Sequence, residues 1–288
     1  MHQVDLRRRI AVAALALVAG CGPTAWSVRL PADASRTGLD GLDGPLEVAG
    51  TTVRVQARVT DDLQIDLLVP REDGVALADA PTVILVQGGL VAPERYAWLG
   101  VHLASRGFAV ALPHHASDLA IFESANAGIA WDALAEGAGG PAFGEPRAVA
   151  GHSLGGVVAA MAFADGGWDA LGLFASFPAA GTDAEGSGGP VLALIGSDDG
   201  ATALEDARAG AARFPDPAWF GVVDGMNHYG WTDDPSERDL AGDGVASRPV
   251  PDARRDAQAV IDAFLDAALR GDPDAEARLE SAFPGVSR

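Results

Sequence analysis

The chain has 288 residues, 20 basic and 40 acidic side chains, a formal charge of -20, 48% hydrophobic content and one cysteine. Every basic residue is an arginine, which excludes Schiff-base chemistry, a phosphate-binding P-loop lysine and a Ser-Lys dyad. A single cysteine excludes an internal disulfide and a cysteine-rich zinc site, and the acidic surplus opposes nucleic-acid binding, so one large globular domain is expected.

In chain order, Arg7, Arg8 and Arg9 precede the apolar run Ile10 to Gly20, which is too short to cross a bilayer as a helix but suits the core of a signal peptide. Leu17-Val18-Ala19-Gly20 directly before Cys21 resembles the lipobox of bacterial lipoproteins. The resemblance implies that residues 1–20 are removed and that Cys21 becomes a lipidated N-terminus, anchoring an exported protein to the membrane of the cell envelope. An ordinary secretory signal followed by an incidental cysteine is the alternative, and it too implies export. Residues 21–45, rich in Gly, Pro, Asp and Ala, read as a loosely ordered tether and lead-in, and residues 46–288 as a single domain.

Val53, Val55, Ala57 and Val59 alternate with polar residues, Asp61-Asp62 makes a turn, and Leu63, Ile65 and Leu67 alternate again, which predicts an antiparallel hairpin. From Pro81 the pattern changes to short apolar runs separated by amphipathic stretches. Strands are expected at Thr82 to Val86, Phe108 to Leu112, Arg147 to Gly151, Leu171 to Ala175, Val191 to Ile195 and Trp219 to Val223. Helices are expected at Pro93 to Ser105, Ser124 to Glu136, Leu154 to Ala164, Ala201 to Arg213 and Pro251 to Leu269. This is an α/β chain with a mostly parallel central sheet, an N-terminal antiparallel hairpin and helices on both faces.

Gly151-His152-Ser153-Leu154-Gly155-Gly156 stands where an expected strand gives way to an expected helix, the context a G-x-S-x-G nucleophile elbow needs. Small residues let strand and helix close on each other and leave the Ser153 hydroxyl at a helix N-terminus, where negative charge is favoured. Only His228 follows Ser153 among the histidines, just past the last expected strand, and it is the candidate base. The acid is expected after Val191 to Ile195, where Asp198 and Asp199 are both available and either suits a helix cap. Oxyanion donors are expected at the Leu154 amide and in the loop Gln87-Gly88-Gly89-Leu90, with Gly89 favoured and Leu90 second.

Together these stretches resemble the α/β-hydrolase superfamily, over roughly residues 46–270. The residues that carry the likeness are Gly88-Gly89-Leu90-Val91 with Tyr96, Leu103 to Phe108, Gly151 to Gly156, Gly196-Ser197-Asp198-Asp199-Gly200, and Gly225-Met226-Asn227-His228 with Gly230. They are similar to secreted or lipoprotein hydrolases of the chlorophyllase, dienelactone-hydrolase and polyester-hydrolase-like branch. The resemblance implies an α/β-hydrolase fold and a serine hydrolase of carboxylic esters, small-molecule or lipid-like, with Asp199 as the triad acid. Gln87 departs from the proline common at that position. The alternatives are a peptidase, amidase or acyltransferase with the same triad, or a binding lipoprotein that has kept the fold without the chemistry.

Leu90, His152 and Trp231 are candidate pocket residues, and Trp231 could equally cover the core. His114-His115 with Asp118 offers no complete ligand set, since adjacent side chains on an extended chain point opposite ways; neither a metal nor a cofactor is expected.

Overall fold

The computed structural model describes residues 24–26, 44–56, 62–115, 125–215 and 217–282. The expected signal segment, Cys21, most of the tether, the turn at Asp61, and Asp118 lie outside them.

The strands are β1 (Thr24–Trp26), β2 (Glu47–Gln56), β3 (Asp62–Glu72), β4 (Val75–Ala76), β5 (Thr82–Val86), β6 (Ala109–Pro113), β7 (Arg147–His152), β8 (Ala170–Phe174), β9 (Val191–Gly196) and β10 (Ala218–Val223). They join one sheet in the order β1-β2-β3-β6-β5-β7-β8-β9-β10, with β4 folded back on β3. Pairings from β1 to β6 across β2 and β3 are antiparallel, and from β6 to β10 they are parallel. The expected hairpin is β2 and β3, in the register Val53 opposite Ile65 and Val55 opposite Leu63. It extends back to Glu47, and Thr24–Trp26, inside the stretch expected to be loosely ordered, pairs with β2.

The parallel strands are apolar without alternation because both faces are covered. In β5 every residue is buried; Ile84 and Val86 enter one core, Val83 and Leu85 the other. Helices α2 (Asn126–Ala135), α3 (Leu154–Ala164) and α4 (Leu204–Ala211) cover the first face, contributing Trp131, Phe163 and Ala207. Helices α1 (Ala97–Ser105) and α6 (Val250–Arg270) cover the second. Helix α6 buries Ala253, Ala257, Val260, Ile261, Phe264 and Leu265, a helical stripe, and stops where Gly271 adopts φ 63°. Two short helices, α5 (Glu237–Leu240) and α7 (Ala275–Ala282), complete the described chain. Among the described residues no helix is long and apolar enough to cross a membrane.

The order of strands reverses at β5. The chain leaves β5 through α1 toward β6 on one side, then returns across β5 through α2 to β7 on the other. Connections diverging from neighbouring parallel strands open a crevice at their carboxyl ends, where ligands bind in open α/β sheets. Residues 87–91 and the elbow at Ser153 occupy the carboxyl ends of β5 and β7.

Candidate active site

Ser153 stands between the end of β7 and the start of α3 with φ 53° and ψ -125°, a conformation that costs a non-glycine residue about 1–3 kcal/mol. The surrounding structure holds it there. Its N–H donates to the Phe174 carbonyl at 2.9 Å, and its own carbonyl accepts from Gly156 N–H at 3.0 Å and from the Ser176 hydroxyl at 2.6 Å. The tight turn demands glycines for space: a Cβ on Gly155 would lie 2.3 Å from the Val86 and Gln87 carbonyl oxygens, and one on Gly151 would lie 2.2 Å from the Gly155 carbonyl oxygen. Ser153 is partly exposed, and the Leu154 and Gly155 amides behind it belong to the first turn of α3, whose N–H groups have no intrahelical acceptor.

His228 opens a short 3-10 helix (His228–Trp231) after β10 and is buried. Its Nδ1 lies 3.0 Å from Asp199 Oδ2 and 3.1 Å from Oδ1. A carboxylate only accepts, so Nδ1 carries the proton, and in the neutral ring Nε2 keeps its lone pair. Asp199 Oδ1 also accepts the N–H groups of Ala201 and Thr202 at 2.9 and 2.7 Å. Asp198 points elsewhere: its Oδ2 accepts Ser247 N–H at 2.7 Å, and the hydrogen bonds from Ser247 hold its carboxyl below the usual range.

Asp243, which nothing in its sequence neighbourhood singles out, ties the two loops together. Its Oδ1 accepts Gly200 N–H at 3.0 Å, His228 N–H at 3.1 Å and Gly244 N–H at 2.7 Å, and its Oδ2 accepts Tyr229 N–H at 2.8 Å. Arg254 then clasps the far side of the 228–233 segment through the Gly230 and Thr232 carbonyls and the Asp233 carboxylate.

After β5, Val91 N–H donates to the Gly88 carbonyl at 3.3 Å, closing a turn with Leu90 at φ 61° in its third position, as a type II turn has. Gly88 N–H is taken by the Tyr96 hydroxyl at 2.7 Å. The turn packs on the elbow, because a Cβ on Gly89 would meet Leu154 Cδ2 at 3.1 Å. Gln87 is buried and its Oε1 has no hydrogen-bond partner among the described residues.

His152 lies between this turn and His228, buried, with its ring 4.6 Å from the His228 ring. Burial, then the neighbouring His228, holds it well below the usual imidazole value. Burial pushes the Tyr96 phenol above its usual value. Of the residues considered for a pocket, Leu90 is 66% exposed. His152 is instead enclosed, and Trp231 stacks on Phe174 with centroids 5.0 Å apart, so the structure places Trp231 in the core.

His114 is not joined to His115 in a ligand set. Asp66, Glu94 and His114 bring potential ligand atoms within 4.8 Å of one another. Two of them already satisfy each other: His114 Nε2 lies 2.7 Å from Asp66 Oδ2, and Thr52 donates to Asp66 Oδ1 at 2.7 Å.

No curated protein matches the chain. The sequence model of the alpha/beta hydrolase family matches residues 82–252, the segment that runs from β5 through the elbow, the Asp199 and His228 loops and Asp243 to the start of α6. With its strand order reversing at β5 and a strained serine at the carboxyl end of β7, this chain belongs to the alpha/beta hydrolase family.

Proposed function

We propose that the protein is a serine hydrolase of carboxylic esters. The observation that carries this reading is the orientation of His228 by Asp199, which leaves Nε2 able to accept a proton, on a loop whose ring lies against the residue preceding Ser153. In the proposed reaction His228 Nε2 takes the Ser153 hydroxyl proton as Oγ attacks the acyl carbon, and the imidazolium formed is stabilised by Asp199. The tetrahedral oxyanion is held by backbone amides of Leu154 and the 88–91 turn. Gly88 and Val91 have spent their N–H groups on Tyr96 and on the Gly88 carbonyl, so Gly89 or Leu90 supplies the second donor. His228 then passes its proton to the leaving alkoxide. Water, deprotonated by the same Nε2, attacks the acyl carbon; the bond to Ser153 Oγ then breaks, His228 returns the proton to Oγ, and the acid is released.

Exposed apolar side chains favour an ester with an apolar portion: Leu90 follows β5 and Phe177 follows β8, both beyond the carboxyl ends of parallel strands. The proposal extends to an exported protein anchored through Cys21 to the cell-envelope membrane, on the strength of the lipobox-like run before it.

The test is hydrolysis of p-nitrophenyl acetate, butyrate and octanoate by wild type and Ser153→Ala, with fluorophosphonate labelling located by peptide mapping. Turnover by the wild type, a loss of about 10⁴-fold or more in the variant and an adduct on Ser153 are expected. A folded wild type that neither turns over esters nor forms the adduct would refute the reading. For the anchor, Cys21→Ser is expected to shift the protein from the membrane to the soluble fraction.

A further inference from the structure

Besides the Ser153, Asp199 and His228 set, the site contains a second buried histidine with every polar atom engaged. His152 Nε2 lies 3.2 Å from the main-chain carbonyl oxygen of His228. His152 Nδ1 lies 3.0 Å from the Tyr96 hydroxyl, and that hydroxyl lies 2.7 Å from Gly88 N. We infer that Tyr96 and His152 form a fixed-tautomer relay that holds the oxyanion turn and the His228 loop in register with the nucleophile, making both positioning residues for the reaction proposed above.

The direction of each bond follows from what its ends can do. A carbonyl oxygen only accepts, so His152 Nε2 carries the hydrogen that meets His228 O. In a neutral imidazole Nδ1 is then bare and accepts from the Tyr96 O–H. That hydroxyl has given its only proton, and its oxygen accepts Gly88 N–H. The chain therefore runs without a break from Gly88 N–H to Tyr96 O–H to His152 Nδ1, and from His152 Nε2–H to His228 O. No other placement of the protons satisfies all four groups. A protonated His152 would set Nδ1–H against Tyr96 O–H, and the low proton affinity that burial imposes on the ring agrees with the neutral form.

Three segments that carry the proposed chemistry meet in this relay, each from a different part of the chain: the turn after β5, the elbow after β7 and the loop after β10. Apolar packing alone would not require it, since a Leu and a Phe would fill the same volume. What the polar atoms add is direction. Gly88 N–H is locked onto Tyr96, which fixes the first residue of the turn that packs on Leu154 of the elbow. The relay also explains a local sequence choice. A Cβ on Gly88 would stand 2.9 Å from both His152 Nδ1 and Tyr96 Oη, so any larger residue would push apart the bond between them.

Two measurements test it. In the first, long-range ¹⁵N–¹H correlation of the histidine rings in the wild type should show His152 as the Nε2–H tautomer, unchanged from pH 8 to pH 5. A Nδ1–H tautomer or a protonated ring overturns the relay without reference to activity. In the second, Tyr96→Phe, His152→Gln, His152→Leu and the double variant Tyr96→Phe/His152→Gln are compared in ester hydrolysis. Gln keeps a donor for His228 O but has no ring nitrogen at the Nδ1 position that faces Tyr96. We expect kcat to fall by about 10- to 100-fold in Tyr96→Phe with KM within about twofold, because donors displaced from the transition state cost turnover rather than binding. His152→Gln should retain more activity than His152→Leu, and the double variant should be no worse than the weaker single one. Unchanged kcat in Tyr96→Phe, or fully additive losses, overturns the relay while leaving the hydrolase reading intact. Wild type that is inactive and unlabelled at Ser153 overturns the reaction, and with it the positioning role.

Discussion

Asp243 Oδ1 accepts the backbone N–H of His228 at 3.1 Å, so one residue is held by two carboxylates, Asp199 on its ring and Asp243 on its main chain. Asp243 also receives Gly200 N–H, which joins the Asp199 loop to the His228 loop. Replacing it with Ala would strand several amides and let both loops drift. Asp243→Ala is expected to lose about 2–4 kcal/mol of stability and, through misplacement of His228, about 10²-fold in ester turnover. Chemical denaturation and initial rates check this; wild-type values in both would show that the clamp has no role.

The two adjacent aspartates should behave very differently. Asp199→Asn removes the carboxylate facing His228 Nδ1 and presents an amide that favours the wrong tautomer, with an expected drop of about 10³- to 10⁴-fold in kcat. Asp198→Asn alters a surface contact with Ser247 and should change kcat by less than about threefold. Equal losses in the two variants would remove the distinction.

His152 gives the stability of the protein a pH dependence of known sign. Its folded pKa lies well below the ordinary value of 6.5 because of burial and then of His228, with Arg95 adding to the effect. The unfolded chain therefore binds the proton first as pH falls, and the stabilisation present above pH 6.5 is lost progressively below it. The loss from this one group therefore grows steadily between pH 7 and pH 5. Melting curves should show a smaller loss over that interval in His152→Gln than in wild type. Parallel curves would contradict it.

Gly155→Ala should be among the costliest single-methyl additions in the chain. The new Cβ would sit 2.3 Å from two backbone carbonyl oxygens of the 86–87 segment, and β5 is bonded on both sides and cannot retreat. A cost of about 3 kcal/mol or more is expected, read as a fall in melting temperature of about 6–12 °C. Adding the same methyl at Gly128, which has open space around it, should leave the melting temperature unchanged or raise it slightly.

What the sequence made legible was local. Uninterrupted apolar runs mark the buried parallel strands, and Leu154 to Ala164 is α3 as the pattern predicts. Residues at the ends of such runs, Ser153 and His228, stand out because the turn chemistry around them is unusual. Local pattern leaves Asp198 and Asp199 equivalent; the family resemblance implies Asp199, and the position of His228, a relation across the chain, is what separates them in the structure. The same holds for Asp243 and Ser176, whose partners are backbone groups; in a chain with 40 acidic residues, one more aspartate in a polar loop carries no mark. Helix α4 begins at Leu204 instead of near Ala201 because Asp199 captures the amides of Ala201 and Thr202 in a turn ahead of it. The aromatic spacing after His228 suits a pocket or a core equally, and the flat stack of Trp231 on Phe174 decides for the core.

Arginine forks brace the rim of the site in a particular way. Arg254 grips the Gly230 and Thr232 carbonyls as well as Asp233, and Arg213 grips the Ala179 and Thr182 carbonyls at 2.8 and 2.6 Å. Most of these acceptors are uncharged peptide oxygens, so dissolved ions have little to screen. Although the chain carries a formal charge of -20 and its surface field must respond strongly to ionic strength, the shape of the rim need not. Salt would then tune which charged molecules approach the crevice while leaving its walls where they are.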